Sequence, residues 1–186
     1  LIGGVRHRID LPELTGGKRV MVYGQTELTK DLMDARAAAG LPTVYEAKEV
    51  AIHDFDGTRP RVSYLKDGVR HEIECDFIAG CDGFRGVSRA SVKPSAIQTY
   101  ERIYPFGWLG ILSETPPVSP ELIYSRHARG FALCTMRSTR RSRYYLQCPL
   151  DDDIAQWPDE RFWDELKRRL DQKAVDELVT GPSIEK

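Results

Sequence analysis

Residues 134–148 read CTMRSTRRSRYYLQC, four arginines and two tyrosines within fifteen positions bordered by strand-forming residues. Successive side chains alternate faces on a strand, so Thr135 shares a face with Arg137, and Arg143 shares one with Tyr145. A three-residue loop at 139–141 sets Thr135 opposite Tyr145 and Arg137 opposite Arg143, with all four on one side; a two-residue loop puts the two arginines on opposite faces. Like charges directly opposite cost about 0.2–1 kcal/mol, and more when desolvated, so the first arrangement calls for an anion between them. A guanidinium fork matches a carboxylate, and the hydroxyls of Thr135 and Tyr145 would complete its shell. Arg140 and Arg141 read as a solvated hairpin tip, a reading that also stands for Arg137 and Arg143. A third reading, interleaved Arg and Tyr as a stacking platform for single-stranded nucleic acid, is disfavoured by a net charge of −1 and the lack of a second basic strand.

A second candidate lies at GCDGFRG, residues 80–86, directly after the apolar run DFIAG. A glycine-rich turn at a strand end can direct backbone N–H groups at a phosphate, with Arg85 within the stretch and Arg89 just downstream, although Asp-Gly is also a common structural turn. Neither GxGxxG nor GxxxxGK[ST] occurs, so a self-contained nucleotide site is not expected. Cys75, Cys81, Cys134 and Cys148 form no CxxC pair and the four histidines show no ligand spacing, which points to reduced, packed thiols and no metal.

These groups need a scaffold. Alternating β-branched and charged residues predict short strands at 4–9 and 19–23, and Leu28, Leu32, Ala35 and Ala39 predict a helix over 26–39 that Gly40 and Pro42 stop. Three strand-like runs follow, with KDG at 66–68 as a tight hairpin between the second and third. Periodicity fades over 91–100, which places a boundary near 98–103 between a first domain, 1–100, and a second, 101–186, of mostly antiparallel texture. A helix with Phe162, Leu166 and Leu170 on one stripe is expected over about 159–171. With 41% hydrophobic residues the chain can bury a sizeable core, and no apolar run reaches the ~18 residues of a membrane span. A soluble, cytoplasmic protein is the expectation. A start at Leu1 and an end at GPSIEK suggest a piece of something longer.

Taken together, VYGQTELTKDL (22–32), DFIAGCDGFRGVSR (76–89), ERIYPFGWLGIL (101–112), ELIYSRHARGFALC (121–134), RSRYYLQCPL (141–150) and DERFWDELKRRL (159–170) resemble the flavoprotein aromatic hydroxylases, in order and over essentially the whole chain. The branch they resemble acts on 4-hydroxybenzoate. The resemblance implies an α+β to α/β fold: part of a Rossmann-like FAD-binding domain, without its GxGxxG strand and its later GD motif, joined to a substrate domain built on a mostly antiparallel sheet with flanking helices. It implies FAD as cofactor, NADPH or NADH as co-substrate, a small aromatic acid as substrate and a homodimer of the full-length protein, with neither nucleic acid nor membrane as partner. By matching position, Gln25, Asp82, Gly83, Phe84, Arg85 and Arg89 are implied at the cofactors. Tyr124, Thr135, Met136, Arg137 and Tyr145 are implied at the substrate, Tyr124 on its phenol and Arg137 on its carboxylate, with Arg143 near the flavin. Without the resemblance, Tyr124 reads as a packed sheet tyrosine. Thr135 stands where the family has serine and Arg85 where histidine is common. The first change keeps the hydroxyl and adds a methyl that narrows the pocket, and the second leaves the nicotinamide preference open; a related flavin hydroxylase of another carboxylated phenol is the alternative reading.

Overall fold

The structure, a computed structural model, describes residues 1–186 and divides into two compact units, Leu32–Arg102 and Leu1–Asp31 together with Ile103–Lys186. The divisions lie between Asp31 and Leu32 and between Arg102 and Ile103, so residues 1–31 group with the second part of the chain. Before the first sheet come α1 (Leu11–Thr15) and α2 (Gln25–Ala38). Neither 4–9 nor 19–23 forms a strand; Ile2 and Val5 make only isolated bridges, and Val20 and Met21 stay exposed. Within residues 1–186 no strand pairs with either segment, so neither completes a ladder there. Helix α2 forms as the periodicity predicts, yet Leu28 and Leu32 remain exposed.

The Leu32–Arg102 unit is built on an antiparallel sheet in the order β1 (Lys48–His53), β2 (Arg61–Lys66), β3 (Val69–Glu74). Lys66 pairs with Val69 across a two-residue turn, and Asp67 (φ 51) and Gly68 (φ 78) both adopt left-handed backbone, the type I′ geometry whose twist matches the strands. Short helix α3 (Val87–Ser91) follows the 80–86 turn.

The other unit carries a five-stranded antiparallel sheet in the order β5 (Ile123–Ser125), β6 (Ala132–Ser138), β7 (Arg141–Cys148), β4 (Gly107–Ser113), β8 (Ser183–Glu185). One face is the core: Ile111, Ala132, Cys134, Tyr144 and Leu146 pack with Phe162, Trp163 and Leu166 of α4 (Asp159–Lys167). The chain breaks after Lys167 and a separate helix α5 (Gln172–Glu177) begins, capped by the Asp171 carboxylate, which accepts from the Ala174 N–H at 3.0 Å. The helix expected over about 159–171 forms but ends at Lys167, and α5 lies beyond the expected span. Cys134, sealed in this core, has its thiol pushed up to about 12 by burial, the inert packed cysteine its context predicts. Long-range ion pairs hold the first residues to this unit: Arg6 donates to both oxygens of Asp171 at 3.0 and 2.9 Å, and Arg8 reaches Glu121 at 2.7 Å. Both sheets are antiparallel, and the fold is a mixed α+β arrangement with few helices. No helix is long and apolar enough to cross a membrane.

Candidate functional site

The face of the five-stranded sheet away from α4 gathers the polar and aromatic side chains. Strand β7 alternates buried Ser142, Tyr144 and Leu146 with half-buried Arg143, Tyr145 and Gln147, so the second set lines the open face. Cross-strand register then builds two rows on that face. Tyr124 lies opposite Leu133, Leu133 opposite Tyr145 and Tyr145 opposite Gly110; one row along, Thr135 lies opposite Arg143, Arg143 opposite Leu112 and Leu112 opposite Glu185.

The hairpin turn differs from the three-residue loop expected at 139–141. Ser138 pairs with Arg141, leaving a two-residue turn, and a register shift between Met136 and Ser138 leaves Arg137 as an extra, unpaired residue. A two-residue turn alone would have inverted the faces; the bulge restores Thr135, Arg143 and Tyr145 to one side while removing the expected Arg137–Arg143 pairing. Met136 pairs with Ser142 and so belongs to the core-side face, apart from the other hairpin residues named as substrate contacts.

Anions for two of the four hairpin arginines come from the chain itself. Arg141 reaches Glu114 at 2.6 Å and Arg143 donates from Nη1 to Glu185 Oε1 at 2.6 Å. Arg140 and Arg137 are exposed and carry no ion pair, so Arg137 is the strand arginine free to receive an external carboxylate. The Thr135 hydroxyl donates to the Arg143 carbonyl at 3.1 Å, which commits its proton and leaves it only as an acceptor. Arg143 lies across the Tyr145 ring, its Cζ 5.2 Å from the centroid, and its Nε is buried without a partner. Burial works against the Arg143 charge, but the bond to Glu185 and the contact with Tyr145 outweigh it and hold the guanidinium above its ordinary value.

Gly110 makes this stacking possible, and motif reading passed over it. A Cβ there would fall 2.8 Å from Tyr145 Cε1 and 3.3 Å from Arg143 Nη2, so the ring lies flat over bare backbone. Only its place opposite an aromatic in a four-strand row signals the requirement, and that row depends on register. Replacing Gly110 by Ala is expected to lower stability by about 1–3 kcal/mol through overpacking, read as a lower urea midpoint at unchanged m-value.

Tyr124 is 56% exposed, and its hydroxyl makes no bond within the chain; its ring leans on Phe131 at 5.7 Å between centroids. Beyond Phe131, Trp108 (5.3 Å) and Phe106 (5.9 Å from Trp108) extend an aromatic wall along the same unit.

In the Leu32–Arg102 unit, the Asp82 carboxylate accepts from the Ser88 N–H at 2.9 Å in the first turn of α3. That bond, more than any other, holds Asp82 below the usual carboxylate range. A Cβ on Gly86 would sit 2.0 Å from Asp82 Cγ, which explains why glycine closes this loop. Gly83 takes φ +72, Phe84 is exposed beneath Arg89 (Cζ 4.6 Å from its ring), and Arg89 also donates to Thr99 Oγ1 at 2.8 Å. Arg85 is exposed. A cleft of about 330 Å³ lies alongside, walled by Ile52, Phe55 and Ile78 with Asp82, Gly83 and Arg89 at its rim. Gln25 opens α2 with its side chain exposed.

Comparison with known proteins gives a consistent result. The profile of the FAD binding domain family matches residues 1–186. The p-hydroxybenzoate hydroxylase of Acinetobacter baylyi is 58% identical over 186 residues, which is 100% of this chain and 46% of that protein. The chain thus spans about half the length of the curated relative it matches. Among solved structures, the flavin-dependent halogenase CmlS aligns with TM-score 0.60 and 16% identity over 86% of this chain and 30% of that one. A substituted form of PqsL from P. aeruginosa aligns with TM-score 0.62 and 18% identity over 88% of this chain and 47% of that one. At these identities the two structures establish the fold alone.

Proposed function

Because the chain belongs to the FAD binding domain family over its whole length, we propose that it forms the substrate-holding part of a flavoprotein monooxygenase. The reaction is 4-hydroxybenzoate + O₂ + NAD(P)H + H⁺ → 3,4-dihydroxybenzoate + H₂O + NAD(P)⁺. The observation that supports this reading most directly is the open sheet face that carries Tyr124, Thr135, Arg143 and Tyr145 together, with the unpaired Arg137 at its bulge. The 58% identity to a p-hydroxybenzoate hydroxylase selects the aromatic acid.

Each residue then has a chemical task. Arg137 grips the ring carboxylate with a two-donor fork, a charge-assisted contact of about 1.5–3 kcal/mol that decides which ring carbon faces the cofactor. Tyr124, with its hydroxyl uncommitted, hydrogen-bonds the phenol oxygen. A phenol titrates near pKa 10 and is a poor nucleophile; a bond that favours the anion makes the carbon ortho to it reactive. Tyr145 and Thr135 border the carboxylate end, while the aromatic wall from Phe131 to Phe106 keeps water from the ring. FAD, when bound and reduced by NADPH or NADH, would supply the activation of O₂. Gln25, Asp82, Gly83, Phe84, Arg85 and Arg89 are the residues proposed to hold FAD and the pyridine nucleotide. Pairing of two full-length copies and a cytoplasmic location belong to the same reading and rest on the family resemblance.

The test is Arg137→Ala in the full-length flavoprotein that carries this chain. Affinity for 4-hydroxybenzoate, measured by titration, is expected to fall about 10–100-fold while FAD stays bound. Equal losses of both ligands would rule out the carboxylate role.

A further inference from the structure

Arg143 and Glu185 are the same row of the same sheet face, reaching toward each other across Leu112. Strand β8, which carries Glu185, is clasped to the rest of the unit. The Ser183 N–H donates to Asp159 Oδ2 at 2.7 Å, the Ser183 hydroxyl donates to Asp159 Oδ1 at 2.9 Å, and Lys186 pairs with Asp159 at 2.6 Å. Glu185 is therefore presented from a fixed strand. Arg143 is confined from the other sides by the Tyr145 ring at 5.2 Å and the bare backbone of Gly110, and its side chain is only 18% exposed. The neighbours facing it across β6 and β4 are the Thr135 hydroxyl and the uncharged Leu112, so Glu185 is the charged group paired with this guanidinium.

Building on the functional reading above, we infer that Glu185 is the positioning residue for Arg143: it fixes the guanidinium over Tyr145, offsets its charge, and so sets the acidity of a phenol held by Tyr124. Arg143 lies two strands and one row from Tyr124 on the same face, roughly 12 Å by strand spacing and rise. At that distance an unbalanced unit charge in a partly buried site moves an ionisation by about one pH unit. With Glu185 in place, most of that field is cancelled. The pair thus keeps the bound phenol from ionising outright, and Tyr124 is left to select the anion when the substrate is seated.

Glu185→Gln isolates the charge. The amide oxygen still accepts from Arg143 Nη1, and the Glu185 side chain is 60% exposed, so folding tolerates the change. In the full-length holoenzyme, the phenolate absorbance of bound 4-hydroxybenzoate is titrated against pH in parent and variant. The expected result is a midpoint lower by about one pH unit in Glu185→Gln, a phenolate fraction about tenfold higher below the midpoint. In the double variant Arg143→Gln/Glu185→Gln, with both charges gone, the midpoint returns toward that of the parent. An unmoved or raised midpoint in Glu185→Gln, with ligand and FAD still bound, overturns the inference and leaves the functional reading standing. A parent enzyme that binds no 4-hydroxybenzoate overturns both.

Discussion

Replacing Tyr124 by Phe in the full-length flavoprotein is expected to cut the yield of 3,4-dihydroxybenzoate at least about 100-fold while reduction of the flavin by NAD(P)H continues. The substitution removes one oxygen and keeps the ring that leans on Phe131 at 5.7 Å, so packing on the sheet face is preserved. What is lost, on the proposed reading, is the hydroxyl that hydrogen-bonds the phenol oxygen. The hydroxyl has no partner in the chain to leave stranded, so stability stays within about 0.5 kcal/mol of the parent, as for other exposed positions. Product is quantified by chromatography beside consumption of the reduced pyridine nucleotide. An unimpaired product-to-reductant ratio would remove Tyr124 from the chemistry and leave it an ordinary surface tyrosine.

The largest expected stability effect belongs to Phe162→Ala. Phe162 is fully buried and sits edge-on to Trp163 at 5.7 Å, and Trp163 in turn sits edge-on to Tyr144 at 5.2 Å. Truncation removes a ring from the centre of the helix–sheet contact and leaves a cavity that two bulky aromatics cannot collapse to fill. The expected cost is about 3–5 kcal/mol. That is a large share of the roughly 5–15 kcal/mol by which a domain is stable. Equilibrium urea unfolding followed by tryptophan fluorescence reports it directly, because Trp163 is the neighbour. Phe162→Leu, which refills most of the volume, should recover more than half of the loss. A drop below about 1 kcal/mol for the alanine variant would mean that α4 does not anchor this sheet.

Local chemistry was the part of the structure written most openly in the chain. Asp67-Gly68 demanded a left-handed pair and got one, and Phe162 and Leu166, four residues apart, faced the core as their spacing required. Where the outcome depended on partners distant in sequence, composition misled. Residues 19–23 have strand-forming side chains but no ladder to join, and residues 1–8 are held by Asp171 and Glu121, contacts no window of sequence reveals. The hairpin shows both sides at once. Alternation correctly grouped Arg143 with Tyr145, but a single bulged residue at Arg137 decided which arginines meet, and a bulge leaves no mark in the pattern of apolar and polar residues. Gly110 and Glu185 escaped notice for the same reason: each matters only through the residue across the sheet.

The tie between Arg6 and Asp171 spans 165 residues of sequence. Non-local closure of that kind is slow, because chain entropy must be surrendered before the contact forms. During synthesis, at about 5–20 residues per second, Arg6 leaves the ribosome many seconds before its partner exists. The hairpins of Leu32–Arg102 have all their strand partners within 27 residues of chain, from Lys48 to Glu74, and so can mature while the first residues still wait. A vectorial order is thereby imposed on assembly: the inserted sheet first, and the flanking halves of the other unit joined only once the last helix has been translated.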